Sequence, residues 1–429
     1  MTTTDEHSTA SRDPQASTSP ALDVDGLRRS FPALATGEVY LDNPGGTQVP
    51  EPVITAICAY LRDHNANLGG AFRTSTDSDS ILAEARAAHA DLLAARPEEI
   101  AFGPNMTTAT FALSRALGRE WGPGDELVVT QLDHDANVTP WRIIARDRGM
   151  TVRTIELDPS DCTLRLDQLD ELLSERTRLV AVGWASNAVG TVNPVCEVAQ
   201  RAKAVGALTF VDAVQYAPHA AIDVAEAGCD LLAVSSYKVF GPHVGILWGR
   251  EDLLDRLRVY KVRPSKNRSP EKLETGTQNH EGIAGAGAAV DYLASLSSLA
   301  PEAPRRERLV DAWRRIRAHE EALCRRLLDG LSAIRGLRIY GITDPARLAE
   351  RVPTVSFTLD GLRPREIAKR LAARGIFVWD GDYYAVDVVD ALGLRATGGM
   401  VRVGLAHYNT AAEVDRLITA LDEISVGAR

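Results

Sequence analysis

Nothing in the cysteine spacing offers a disulfide framework or a zinc ribbon. The five cysteines, Cys58, Cys162, Cys196, Cys229 and Cys324, are odd in number and form no CxxC pair, which fits a reducing, cytoplasmic setting. No run approaches the roughly 20 apolar residues that would span a bilayer. Met1–Leu22 has neither a basic start nor an export-length apolar stretch; rich in Ser, Thr, Asp and Pro, it is expected to be a floppy tail. Basic residues number 48 against 58 acidic ones, a net charge of −10, which argues against nucleic acid or an acidic membrane surface as the main partner. Internal repeats are absent. The 33 glycines and 21 prolines are ordinary usage for this length, so collagenous and low-complexity classes are excluded. A small molecule is the expected ligand.

What is present is a globular chain of 429 residues, 45% hydrophobic, long enough for two or three units. Short β-branched runs alternate with helix-length segments: Glu99–Phe102, Glu126–Thr130, Val152–Leu157, Leu179–Trp184, Leu208–Val211, Leu231–Val234 and Gly245–Trp248. The alternation predicts an α/β fold with a mainly parallel seven-stranded sheet, ligands gathering beyond the carboxyl ends of its strands. After Ser295 the pattern changes to a long charged helix, Glu302–Leu331, then strands Leu337–Tyr340 and Thr354–Leu359, a helix Pro364–Arg374, and a last strand and helix. The expected division is a tail over 1–22, a large domain over 65–295, and a smaller α+β domain from 23–64 plus 296–429.

Residues just after the strands are the first candidates. Asp212 ends a predicted strand and Gln215 follows three residues on; a ligand-facing carboxylate and a helix cap are the two readings of Asp212. In the run from Leu231 to Pro242, an apolar strand leads straight into Lys238, Val239, Phe240 and a Gly-Pro turn. A desolvated lysine loses its proton easily and a neutral amine captures an aldehyde cofactor; the alternative is a structural lysine that snorkels to solvent.

These motifs resemble the class V aminotransferase-like, fold-type I enzymes that use pyridoxal 5'-phosphate (PLP), above all cysteine desulfurases and selenocysteine lyases of the SufS type. The resemblance runs from about Val24 to Leu421. It implies that Lys238 holds the cofactor, Asp212 faces its ring nitrogen and Gln215 donates to its phenolic oxygen. His134, in Gln131–Trp141, matches the histidine that stacks on the ring; a helix-cap role or a metal site from Asp133, His134 and Asp135 are the other readings. Thr107 and Thr108, at a helix start after a strand, and Ser235 match the phosphate ligands, plain caps and turn hydroxyls being the alternative. Asn187, in Ser186–Thr191, matches the residue beside cofactor and substrate carboxylate, or is a turn asparagine. Arg402, in Val401–Thr410, matches the arginine that clamps the carboxylate, for which a bidentate donor is suited; a surface ion pair is the alternative. Thr277 matches a threonine that reaches the partner subunit's cofactor, which implies a homodimer. Gly285-Ala286-Gly287 imitates part of a dinucleotide fingerprint, but no strand precedes it, and close helix packing is the expectation.

Two departures stand out. The family's persulfide-forming cysteine has no counterpart: the corresponding stretch, Gly375–Ala385, holds Asp380, Asp382, Tyr383 and Tyr384 instead. Asp380 is the candidate acid there, with solvated turn residues as the alternative. Tyr237 also stands where SufS-type relatives have a histidine. The resemblance therefore implies an amino-acid enzyme, desulfurase-like but cleaving C–S or C–Se without a protein persulfide. Class V aminotransferase or isopenicillin N epimerase-like chemistry is the alternative, and a non-catalytic PLP-fold binding protein is the reading from another class.

Overall fold

A computed structural model describes residues 21–427; all but the last two residues of the expected tail lie outside it. Seven strands form one sheet: β1 (Ile100–Gly103), β2 (Glu126–Thr130), β3 (Thr151–Ile155), β4 (Thr177–Gly183), β5 (Leu208–Asp212), β6 (Leu231–Ser235) and β7 (Gly245–Gly249), in the order β1-β7-β6-β5-β4-β2-β3. Only β7 runs against its neighbours. The strands read as near-continuous apolar runs because both faces are covered. Val128, Val180, Val182, Val211, Leu232 and Val234 enter one core, while Leu127, Val129, Leu179, Ala181, Phe210, Leu231 and Ala233 enter the other. This is the doubly covered, mainly parallel sheet the sequence predicts, with boundaries moved by a residue or two.

Six of the helices cover the sheets and carry the site. In the large lobe these are α1 (Arg73–Leu93), α2 (Met106–Leu117) and α3 (His280–Ser295); in the small lobe, α4 (Arg305–Ser332), α5 (Pro364–Ala372) and α6 (Ala411–Val426). The Gly285-Ala286-Gly287 run lies inside α3, where a Cβ on Gly287 would come within 3.0 Å of Ala85 Cα on α1. The glycines permit helix contact, as expected from the missing strand.

The small lobe is an antiparallel sheet of β8 (Leu337–Tyr340), β9 (Thr354–Leu359), β10 (Trp379–Gly381) and β11 (Met400–Gly404), ordered β10-β11-β9-β8. Its inner face supplies Val355, Phe357, Val401 and Val403 to a core shared with α4, α5 and α6. Period-two alternation turns Thr354, Ser356 and Arg402 to the opposite face, where Ser356 Oγ donates to Ala188 O at 2.6 Å. The stretch before the repeat divides between the lobes. Val39–Tyr40 pairs with Ile376–Phe377 of the small lobe, whereas helix Glu51–Ala59 packs on α3, and Tyr60 Oη meets His280 Nδ1 at 3.0 Å.

Candidate active site

The carboxyl ends of the central strands converge on a cavity of about 200 Å³ lined by Thr107, Asp133, His134, Asn187, Asp212, Gln215, Ser235, Tyr237, Lys238 and Arg402, with Trp379, Tyr383 and Tyr384 on the small-lobe side. Lys238 arrives there because β6 ends at Ser235 and passes into a tight turn, Ser236–Lys238. Its Nζ donates to Pro44 O and lies 4.8 Å from the Tyr237 ring centre. Burial, reinforced by the Arg402 charge, pulls its pKa down to about 7, against the opposing pull of Asp212 and Asp42. The amine is thus partly neutral at neutral pH.

Asp212 closes β5 and accepts Val214 N–H at 2.9 Å; burial raises its pKa to about 6. Beside it sits Asp133, which accepts Gly183 N–H and Asn137 Nδ2–H, both at 2.7 Å. Burial, with the Asp212 charge adding to it, pushes Asp133 up to about 8. Two adjacent desolvated carboxylates resist simultaneous ionisation, so Asp133 holds its proton more tightly. His134 Nδ1 accepts Ala136 N–H at 3.0 Å, which fixes that nitrogen as unprotonated. Burial and the Lys238 and Arg402 charges hold His134 down to about 4, so it presents a neutral ring, stacked on Tyr384 at 5.4 Å.

Arg402 is 3% exposed, its guanidinium 4.4 Å from the Tyr383 ring centre and its Nη1 donating to Asn187 O at 3.0 Å. Desolvation lowers its pKa to about 10. Among the described residues, Arg402 Nε and Asn187 Oδ1 are buried without a hydrogen-bond partner, which is costly unless a ligand supplies one. Gln215 lines the cavity, with its amide given to Thr354 Oγ1 at 3.1 Å. At the other end, α2 begins behind the Asn105 cap, which accepts Thr108 N–H at 2.8 Å; this turns Met106 and Thr107 to the cavity.

Three expected residues lie elsewhere. Thr108 and Thr277 line a separate cavity of about 400 Å³ on the far side of the α2 start. Asp380 is absent from the Lys238 cavity, and the reason is strand phase. In the β10–β11 register Trp379 pairs with Arg402 and faces the cavity, while Asp380 pairs with Val401 and turns to α5, where Arg365 holds it at 2.9 Å. Its expected role as an active-site acid is therefore corrected. The sequence reading also missed Asp133 as a buried neighbour of Asp212, and Pro44; the Asn43-Pro44-Gly45-Gly46 turn was the available signal for the latter.

An amine facing a carboxylate, an unpaired guanidinium Nε and a helix start beside the Ser235 hydroxyl form a donor set that suits PLP with an amino acid, with Lys238 for the aldehyde, Asp212 for the ring nitrogen and the Thr107–Ser235 end for the phosphate.

Residues 39–417 match the family described as Aminotransferase class-V. The chain is 35% identical over 419 residues to the aminotransferase-like protein FGM3 of Gibberella zeae, covering 95% of this chain and 99% of that one. It is 33% identical over 422 residues to a cysteine desulfurase of Pectobacterium carotovorum, covering 94% and 98%. Among solved structures, the apo cysteine desulfurase of Thermococcus onnurineus superposes with TM-score 0.85 at 29% identity, covering 95% of this chain and 99% of that one.

Proposed function

Because the chain belongs to the class V aminotransferase family and is a PLP-dependent enzyme of the cysteine desulfurase-like type, we propose that it is a homodimeric lyase that breaks a C–S or C–Se bond of an amino acid without forming a persulfide on itself. Bound PLP supplies an aldehyde for the substrate amine and a ring that takes up electrons from Cα. The residues of the chain supply the rest. Lys238, its amine partly neutral, captures the cofactor and afterwards moves the Cα proton. Asp212 keeps a proton on the ring nitrogen, with Asp133 behind it. The neutral His134 ring covers one face without competing for that proton. Arg402 binds the substrate carboxylate through its unpaired Nε, at a position fixed by Asn187 O.

The observation that carries the reading is the small-lobe wall. Where desulfurases of the SufS type present a thiol, this cavity presents Trp379, Tyr383 and Tyr384, and no cysteine lines it. Cys162, Cys229 and Cys324 are buried, and Cys58 and Cys196 are exposed outside the cavity. The sulfur or selenium must then leave unaided, as a sulfinate, selenide or substituted thiol would.

The test is incubation of the loaded enzyme with cysteine sulfinate, selenocysteine and S-substituted cysteines, with identification of both products. Release of the sulfur or selenium fragment is expected, with turnover unchanged after alkylation of Cys58 and Cys196. A persulfide on any of the five cysteines, with activity lost when that residue becomes serine, overturns the reading. A keto acid formed while the amino group stays on the cofactor, or racemised substrate alone, replaces it with transamination or epimerisation.

A further inference from the structure

Next to the Lys238 cavity, and sharing Trp379, Tyr383 and Tyr384 with it, a second hollow of about 370 Å³ opens to solvent. Two aromatic residues stand on the boundary, Trp379 at 52% and Tyr384 at 70% exposure. Large rings left in water at the rim of a cavity mark a contact surface. Their backbone is held in place at a cost: Tyr383 and Tyr384 adopt φ of 55° and 60°, a region bulky side chains rarely enter. Asn187 Nδ2 donates to Tyr383 O at 2.9 Å, and Asp135 N–H donates to Tyr384 O at 2.7 Å. Asp382 Oδ1 accepts Tyr384 N–H at 3.0 Å. The large lobe and Asp382 together fix the backbone at Tyr384, whose ring stacks on His134 at 5.4 Å where the two hollows share their lining.

Among the described residues, all but one of the charged groups lining the outer hollow are ion-paired. Asp380 is paired with Arg365 at 2.9 Å, and Arg395 is occupied by both oxygens of Asp390. Asp382 has no ion-pair partner among the described residues, although Arg395 lines the same hollow and its charge reaches Asp382; the one hydrogen bond to its carboxylate there comes from a backbone N–H. A carboxylate with no ion-pair partner, flanked by exposed aromatic faces, suits an organic cation, which gains from the ring quadrupoles and from the carboxylate together.

We infer that this hollow is an outer subsite for the far end of the substrate side chain, and that it selects a substrate ending in an ammonium or guanidinium group. The inference rests on the Lys238 cavity being the place where the α-carbon reacts, and it adds the substrate class. An amino acid with its carboxylate on Arg402 extends its side chain past Tyr384, and the cation comes to lie by Asp382 and Trp379. In the lyase reading, the departing sulfur fragment is the part that carries the cation.

The test is titration of the loaded enzyme with lysine, arginine and norleucine, followed through the visible absorbance of the cofactor. Lysine and arginine are expected to bind roughly tenfold more tightly than norleucine, which has the length but not the charge. Added salt should erode the preference. Asp382→Asn, which keeps the acceptor for Tyr384 N–H, should bring the lysine-to-norleucine ratio to within about twofold of unity, and Trp379→Leu should lower it several-fold. Equal affinity for lysine and norleucine in the wild-type enzyme overturns the inference without recourse to any variant, and so does an unchanged ratio in Asp382→Asn. A parallel assay of thiol release from S-(2-aminoethyl)cysteine and S-propylcysteine separates the two readings. A charge preference in binding with no thiol released from either compound, and no sulfur or selenium released from cysteine sulfinate or selenocysteine, sinks the lyase and leaves the subsite standing. A cofactor band that responds to no amino acid overturns both.

Discussion

Lys238 and Arg402 carry opposite demands in one cavity: the amine must shed its charge and the guanidinium must keep it. Their proximity serves both, because the Arg402 charge helps depress Lys238 to about 7 while Arg402 itself stays near 10. A protonated amine cannot attack an aldehyde, so the rate of cofactor uptake by the apoprotein should rise with pH through about 7 and level off above it. A lysine at its ordinary value would keep the rate rising past about 10; stopped-flow absorbance distinguishes the two profiles. Lys238→Ala should abolish borohydride-fixable cofactor and cut turnover by about 10³-fold or more. Label found on another lysine would reassign the site. Arg402→Ala should cost about 2–5 kcal/mol in substrate binding, seen as a raised KM, with a far smaller loss of cofactor affinity measured by equilibrium dialysis. Lys238 was legible in the sequence because it follows a strand, where an apolar run gives way to polar groups, whereas Arg402 sits in the middle of β11 and was legible only through the resemblance of Val401–Thr410 to a family motif. Asp380 was misplaced because β10 is only three residues long, Trp379–Gly381, and so short a strand does not reveal which of its alternate residues faces inward. Asp133 was hidden for another reason: its partner Gly183 is 50 positions away, and no local pattern reports such a contact.

Among the elements, the seven strands could be read because burial on both faces leaves them apolar throughout. Their spatial order could not, since β1 pairs with β7 across almost 150 positions and local composition carries no trace of that choice. The helices show how composition becomes packing. Gly287 on α3 leaves room for the backbone of α1, and a Cβ there would stand 3.0 Å from both Ala85 Cα and Ala85 Cβ. Gly287→Val gains up to about 1 kcal/mol of helix propensity, whereas overpacking a close backbone contact costs about 1–3 kcal/mol. The contact term wins, so a net loss of stability of about 1–2 kcal/mol is expected, measurable as a lowered denaturant midpoint with an unchanged slope. A neutral or stabilising result would mean that α1 and α3 can separate at little cost. The segment before the repeat was hard to assign because it serves both lobes, pairing at Val39–Tyr40 with one and packing through Glu51–Ala59 on the other.

At the scale of the whole molecule, the lobes are stitched together by side chains that donate to backbone. Arg351, 5% exposed, donates to Val189 O of the large lobe at 3.3 Å while also holding Thr354 O of its own lobe at 2.6 Å, and Ser356 reaches Ala188 O. What one chain does not bring to its own site is Thr277, which is exposed and lines the separate cavity with Thr108. If the proposed homodimer places Thr277 against the phosphate of the neighbouring site, lesions in the two residues should complement in a particular way. Consider a hybrid dimer of one Lys238→Ala chain and one Thr277→Ala chain. When the threonine serves its partner, one site carries both lesions and the other carries none, so the hybrid regains a fully intact site. When the threonine serves its own chain, one site lacks the lysine, the other lacks the threonine, and no intact site exists. Thr277→Ala homodimers should bind PLP about tenfold more weakly, the loss of one charge-assisted hydrogen bond to a phosphate. Coexpressed, separately tagged hybrids should show half the wild-type turnover at limiting PLP. Turnover no higher than the mean of the two parent homodimers would place Thr277 in its own chain's site or in none, and a monomer by sedimentation with full activity would remove the shared site altogether.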